Sequence, residues 1–437
     1  MKRFFSVLLA LVLALACVGC GNNQEEPSGV YYDITGIGPD ETVVTVGDVD
    51  IPAQLYFYWM AYTFSSLETQ ILSANAYYGI YGELIGEDGY SLVWDAPLSD
   101  EQTVGQFAVA QAEDTVLYFA ALESMAEELG AGMTEEDLAT LAEDRAAAIE
   151  ELGGEEAFQE YLYALGITEY AFDRIASSSY LYDNLADLVL QEGSALYLAP
   201  EDYNQYASYA DHILFLTIDA TTGESLTEEE IAAKRATAED LLAQLQAADD
   251  PSSLFPDLAD QYSEDPGRYD NPTGYIYTPG TMVTVFEDAV DALEPGEISD
   301  IVESDYGFHI ILRKDLLQGL EDYPDQKRAL AEEHLQSLLD LEMTQMTAVH
   351  SDKLNDFSAE NFYTEYSAYL QQLGQEEESA QSGEDSGTDG STDNSGTDNS
   401  STDNSSADNS STDNSSTDSN GTANNSTVND STDSSGQ

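Results

Sequence analysis

The chain has 437 residues, room for two or three domains and a substantial core. It carries 85 acidic side chains against 12 basic ones, a formal net charge of −73. Such a surface repels nucleic-acid phosphates and anionic headgroups, which excludes a nucleic-acid role; it keeps the chain soluble and attracts basic segments of a partner.

Taken in order, the chain opens with Lys2-Arg3 and an apolar run from Phe4 to Ala16 that ends in small residues. That is the pattern of a secretory signal, too short to read as a membrane-spanning helix. Cys17-Val18-Gly19-Cys20-Gly21 resembles a bacterial lipobox. The resemblance implies removal of residues 1–19 and lipidation of Cys20, with Cys17, preceded by Ala14-Leu15-Ala16, as the alternative site. A lipid there would anchor the chain to the outside of the cell membrane. It would leave no thiol for a disulfide, a metal site or a nucleophile, since the chain has 2 cysteines. Residues 20–37 read as a polar tether.

Glu41 to Val49 alternates like a strand, with a turn at Gly47-Asp48. Gln54 to Leu72 follows as a helix bearing Tyr56, Phe57, Tyr58, Trp59, Tyr62 and Phe64. Aromatics at helical spacing read as core before they read as a peptide groove. The Gly- and Tyr-rich stretch from Asn75 to Pro97 has no clear period. Helices are expected over 100–129, from a cap at Thr134 to Gly153, over 155–165, and from a cap at Thr168 to Gln191.

A strand pattern, Ala210-Asp211-His212-Ile213-Leu214-Phe215, then precedes a helix capped by Thr227 and a shorter one over 254–262. After a polar loop from Asp265 come a strand at Gly274-Tyr-Ile-Tyr, a Gly280-Thr281-Met282-Val283 turn and a helix over 283–293. A Pro295-Gly296-Glu297-Ile298-Ser299 turn leads into two strands over 298–314 that contain His309. Residues 324–373 read as helical. Beyond Gln375 a five-residue Ser/Thr/Asp/Asn unit repeats, with too little apolar surface to fold, and 374–437 is expected to be a disordered tail.

The span from Tyr209 to Lys314 resembles the parvulin family of peptidyl-prolyl isomerases. Leu165-Gly166-Ile167-Thr168-Glu169 and its long helix resemble the helical N-terminal region of PrsA and SurA chaperones. The implied fold is α+β. A parvulin-like domain of order β-α-α-β-α-β-β (201–317) is inserted in a mostly helical chaperone domain made of 38–200 and 318–373. The implied activity is cis-trans isomerisation of X-Pro bonds in unfolded, newly secreted proteins, with no metal or cofactor. The alternative is a holdase that keeps the parvulin fold without activity.

Residue by residue, the resemblance gives His212, Asp265, Ser304 and His309 as a hydrogen-bonded catalytic network. It gives Met282 and Phe286, four apart on one helical face, as the proline pocket. Each histidine alone would more often be a satisfied strand residue; two at the family's positions point to the site. Two departures stand out. The family's two glycines before the middle strand are replaced by Pro272-Thr273-Gly274. No basic cluster follows His212, which implies no preference for a phosphorylated residue before proline.

Overall fold

The computed structural model describes residues 29–384, apart from Asp88, Tyr90 and Asp100. The lipobox with Cys17 and Cys20, and the repetitive tail from 385, lie outside the described residues.

Helix α1 (Val30–Thr35) lies inside the stretch read as tether. Val30 and Tyr31 are 2% and 3% exposed, and the Tyr31 ring stands 5.5 Å from that of Phe362 and 5.6 Å from that of Tyr366. The run Val30-Tyr31-Tyr32 is apolar enough to be pulled into the core, so the tether ends before it. Strands β1 (Thr42–Val46) and β2 (Val49–Pro52) form the expected hairpin.

Helices α2 (Ala53–Tyr78), α3 (Val104–Leu129), α4 (Glu135–Glu151), α5 (Glu155–Ala164) and α6 (Glu169–Leu190) follow. Threonines at 134 and 168 cap α4 and α6 as expected. Helix α3 starts at Val104 rather than at Asp100, because Thr103 and Gln106 close a capping box there. Its small residues Ala108, Ala112 and Ala120 let it pack closely in one core with Phe57, Trp59 and Met60 of α2. Trp59 stacks on Phe119 at 4.1 Å. The aromatic stripe of α2 is therefore core: Tyr56, Phe57, Tyr58, Trp59 and Phe64 are buried, and only Tyr62 of the set reaches solvent.

Buried Gln54 ties three element starts together. Its Oε1 accepts from Thr168 N and Thr168 Oγ1, both at 2.9 Å, and its Nε2 donates to Asp40 Oδ1 at 2.8 Å. No polar atom of that amide is left without a partner.

Next come β3 (Ser208–Leu216), α7 (Glu228–Ala247), α8 (Pro251–Tyr262), β4 (Tyr275–Tyr277), α9 (Thr284–Asp291), β5 (Val302–Glu303) and β6 (Gly307–Arg313), in the expected β-α-α-β-α-β-β order. The strands form an antiparallel sheet ordered β4-β3-β6-β5. Strand alternation gives each face its own cover. Ile213, Phe215, Phe308 and Ile310 pack with Leu241 and Leu245 of α7 and Phe255 of α8. On the other face Ala210 and Ile311 pack with Phe286 and Val290 of α9.

The chain then forms α10 (Leu316–Asp322), α11 (Pro324–Gln345), β7 (Ala348–His350) and α12 (Ala359–Glu384). The helical stretch expected over 324–373 is interrupted: β7 pairs with β1 and completes a sheet ordered β2-β1-β7. Helix α12 runs past Leu373 to Glu384, since the Gln, Glu and Ala residues there favour helix. Leu330, Leu335 and Leu339 of α11 share a core with Leu122 of α3 and Leu185 and Val189 of α6. Among the described residues no helix is long and apolar enough to cross a membrane.

Because α1 enters the aromatic core through one ring, Tyr31→Ala should lower stability by about 3–5 kcal/mol. Urea unfolding followed by circular dichroism measures it; a loss below about 1 kcal/mol would show that α1 is only laid on the surface.

Candidate active site

The site stands on the α9 face of the four-stranded sheet. His212 pairs with Ile311 and Leu214 with His309, so the two histidines are diagonal neighbours on the same face of β3 and β6. They are 9% and 3% exposed. Tyr275 of β4 lies opposite Ala210, and alternation puts it on that face too.

Four side chains join in a row. Ser304 Oγ lies 2.7 Å from His309 Nε2, His309 Nδ1 lies 3.4 Å from His212 Nδ1, and His212 Nε2 lies 3.0 Å from Asp265 Oδ2. One choice of tautomers satisfies this row in one direction: Ser304 donates to His309, His309 to His212, and His212 to the carboxylate. Asp265, an acceptor only, sets both tautomers. It is itself fixed by the Tyr275 hydroxyl at 2.5 Å and by Gly267 N at 3.1 Å. All four residues expected in the network are thus brought together.

Burial opposes ionisation of Asp265, yet the hydrogen bonds from His212 and Tyr275 outweigh it and hold the carboxyl at about 2, below its ordinary 3.8. Burial, reinforced by repulsion from His212 and partly relieved by Asp265, lowers His309 from 6.5 to about 4. Next to Asp265, burial and its charge push the Tyr275 hydroxyl up, so it stays a donor.

Phe286 is 2% exposed, and its ring meets those of His212 and His309 edge-on at 5.3 and 5.7 Å. Met282 is half-buried in the same apolar cluster, with Tyr277 and Val290. The two do not share a helical turn as expected: Met282 precedes Val283, the N-cap of α9. What brings them together is Glu287, whose carboxylate accepts from Gly280 N at 3.0 Å and from Met282 N at 2.8 Å and folds the turn back onto the helix. Sequence reasoning missed Glu287 and Tyr275. Alternation along Gly274-Tyr-Ile-Tyr carried a signal for Tyr275; nothing local marked Glu287.

The departure at Pro272-Thr273-Gly274 keeps the glycine that the backbone requires. Gly274 has φ +96°, and a Cβ there would stand 2.5 Å from the carbonyl oxygen of Ala210.

Residues 212–315 match the family model of the PPIC-type PPIase domain, a rotamase. This segment of the chain is therefore a parvulin-type domain. Parts of the chain are similar to PrsA foldases. The foldase protein PrsA of Geobacillus sp. (strain WCH70) is 40% identical over 106 residues, 24% of this chain and 36% of that protein. The foldase protein PrsA of Staphylococcus aureus (strain bovine RF122 / ET3-1) is 25% identical over 212 residues, 48% of this chain and 61% of that protein. The chaperone SurA of Alkalilimnicola ehrlichii is 37% identical over 103 residues, 23% of this chain and 21% of that protein. The chain thus spans about a third of the length of the Geobacillus relative.

Since the folded value of His309 lies below its unfolded one, the unfolded chain takes up that proton first. Stability is full above about pH 6.5 and falls as pH drops toward 4, by on the order of 3 kcal/mol. Asp265 adds a second loss between 3.8 and about 2. Urea unfolding at pH 7 and pH 4.5 checks the first window. His309→Gln should flatten the difference, and an unchanged slope would remove His309 as its source.

Proposed function

We propose that the chain is an extracytoplasmic foldase that catalyses cis-trans isomerisation of X-Pro bonds in unfolded secreted proteins. The carrying observation is the Ser304–His309–His212–Asp265 row set against the Phe286 ring. In this reading Met282 and Phe286 hold the proline ring, and the row shapes the polar side of the pocket. Residues 201–317 act as the isomerase domain, and 38–200 with 318–373 as the chaperone region. The intact row is what weighs against a holdase without activity.

The barrier to overcome is about 18–20 kcal/mol, with no covalent bond broken. The planar amide is the more polar form, because conjugation moves charge from nitrogen to oxygen; twisting cancels that displacement. A site that replaces water by Phe286, Met282 and the neutral His309 imidazole removes the solvation that favours the planar form. Preorganised donors then interact with the amide at no reorganisation cost. A His309 held near 4 is neutral at pH 7, so its ring adds no cation to compete for the carbonyl. Proton transfer is not required. Between Leu214 and Leu226 there is no Lys or Arg, and Lys234 and Arg235 are paired with Glu264 and Glu303, which supports indifference to phosphate.

Lipidation at Cys20 belongs to the same proposal, with the chain tethered outside the cell membrane. Cys20→Ser should move the protein from the membrane fraction to the soluble fraction on fractionation. Retention with Cys17 intact would assign the lipid to Cys17 instead.

The pocket is tested by Met282→Ala combined with Phe286→Ala. A protease-coupled assay on a proline tetrapeptide should show kcat/KM lowered by about a hundredfold or more, equivalent to about 2.7 kcal/mol or more of transition-state stabilisation. Circular dichroism must show the fold retained, since each truncation also removes core volume. Undiminished activity in a folded variant would refute the pocket.

A further inference from the structure

A cleft of about 480 Å³ lies in the helical region, between α2, α3 and α12, away from the sheet that carries the histidines. That volume falls within the roughly 300–1,000 Å³ range of ligand sites. Its floor is aromatic: Phe64 of α2 and Trp94 of the Gly/Tyr-rich connection, with ring centroids 5.2 Å apart. Tyr363 of α12 braces both rings edge-on, at 5.3 and 4.6 Å. Val109 and Ala110 of α3 make an apolar wall.

The connection, which has no sequence period, is what builds this floor. Leu84, Leu92 and Ala96 anchor it against Ile71 and Val104. Gly105 N donates to Trp94 O at 2.8 Å, and a Cβ on Gly105 would stand 3.1 Å from that oxygen. The backbone of Trp94 is thus pinned to the first turn of α3, and its indole is presented rather than loose.

Among the described residues the cleft is lined by three carboxylates, from Asp95, Glu113 and Glu360, and by no Lys, Arg or His. Glu113 is paired with His350 at 2.9 Å, while Asp95 and Glu360 are exposed. An apolar floor beneath an anionic rim selects an occupant with the complementary pattern. We propose that this cleft is a second client site, which takes an extended peptide segment bearing an aromatic or aliphatic side chain flanked by lysine or arginine. The side chain would fill the space over Phe64 and Trp94, and the flanking cations would meet Asp95 and Glu360. The net charge of −73 would speed the encounter with such segments. The same charge disfavours a second copy of the chain as occupant, and the Asp-containing repeat from 391 is disfavoured likewise. The inference rests on reading the flanking helical region as the part that holds clients; it needs no proline.

The test uses the full-length protein and a fluorescein-labelled, proline-free peptide with a Phe-Leu-Phe centre and two lysines on each side. The control has glutamates in place of the lysines. Anisotropy should show the lysine peptide binding at least about tenfold more tightly than the control. Ala110→Trp, which fills the cleft, should weaken the lysine peptide by about tenfold or more. The double variant Asp95→Lys, Glu360→Lys changes only exposed side chains and keeps the test valid if the tryptophan impairs folding. It should weaken the lysine peptide and strengthen the control. Isomerase activity on a proline tetrapeptide should be unchanged in both variants. Equal binding of the two peptides, or lysine-peptide binding untouched by the variants, would overturn the cleft assignment. In that case, surviving isomerase activity and aggregation suppression would leave the foldase reading standing. Absent isomerase activity in the wild type, with cleft binding intact, would sink that reading alone.

Discussion

The pairing of β3 with β6 is the constraint on which the site depends. Its register sets His212 against Ile311 and His309 against Leu214, and thereby puts both rings on one face. A slip of one residue in either strand would turn its histidine to the α7–α8 side and break the row at its centre. The register is held by burial on both faces: Ile213, Phe215, Phe308 and Ile310 on one side, Ala210 and Ile311 on the other. Polar ties reinforce it. Ser299 Oγ accepts from Ile311 N at 2.9 Å, and Leu214 N donates to Ser263 Oγ at 3.1 Å. The geometry of the row is thus a consequence of core packing, and the polar network completes it.

A second long-range closure makes the flanks one body. Strand β7 returns to the N-terminal hairpin to pair with β1, and Phe362 of α12 stacks with Phe57 of α2 at 5.2 Å. The parvulin domain leaves and re-enters this body between α6 and α11, and Tyr209, Leu316 and Leu320 share the apolar core of those helices. Tyr209 also receives Lys314 Nζ at its hydroxyl, at 2.7 Å. The start of β3 therefore belongs to both the helical core and the sheet.

Charge imposes a third economy. With 12 basic residues in the chain, several cations serve as ties between elements. Arg174 grips Glu123 with two nitrogens, at 2.8 and 2.7 Å, and joins α6 to α3. Arg268 bridges buried Asp211 and exposed Asp260, which steadies the loop that carries Asp265. Arg313 donates to the Leu293 carbonyl at 2.7 Å, just past the end of α9, where cations are favoured. The remaining surface stays overwhelmingly acidic, and among the described residues the charged groups that line its aromatic cleft are carboxylates.

Much of this was legible in the chain itself, because it is written in local patterns. Threonine caps placed the starts of α4, α6 and α7, and alternation placed β3 and β6. Two histidines in apolar strands, with an acid and a serine at the family's positions, named the row before its geometry was known. Local patterns misled where the partner was distant. Val30-Tyr31-Tyr32 looked like part of a tether because its partners, Phe362 and Tyr366, lie more than three hundred residues on. Ala348–His350 looked like continued helix because only β1 makes it a strand. Glu287 gave no sign of its hold on Met282, and the Gly/Tyr-rich connection gave no period from which to read the cleft. The sequence by itself determined most of the elements and the identities of the four residues in the row. Tertiary structure decided the register, the closure of the flanks and the cleft, because these follow from burial shared between segments that no local window contains.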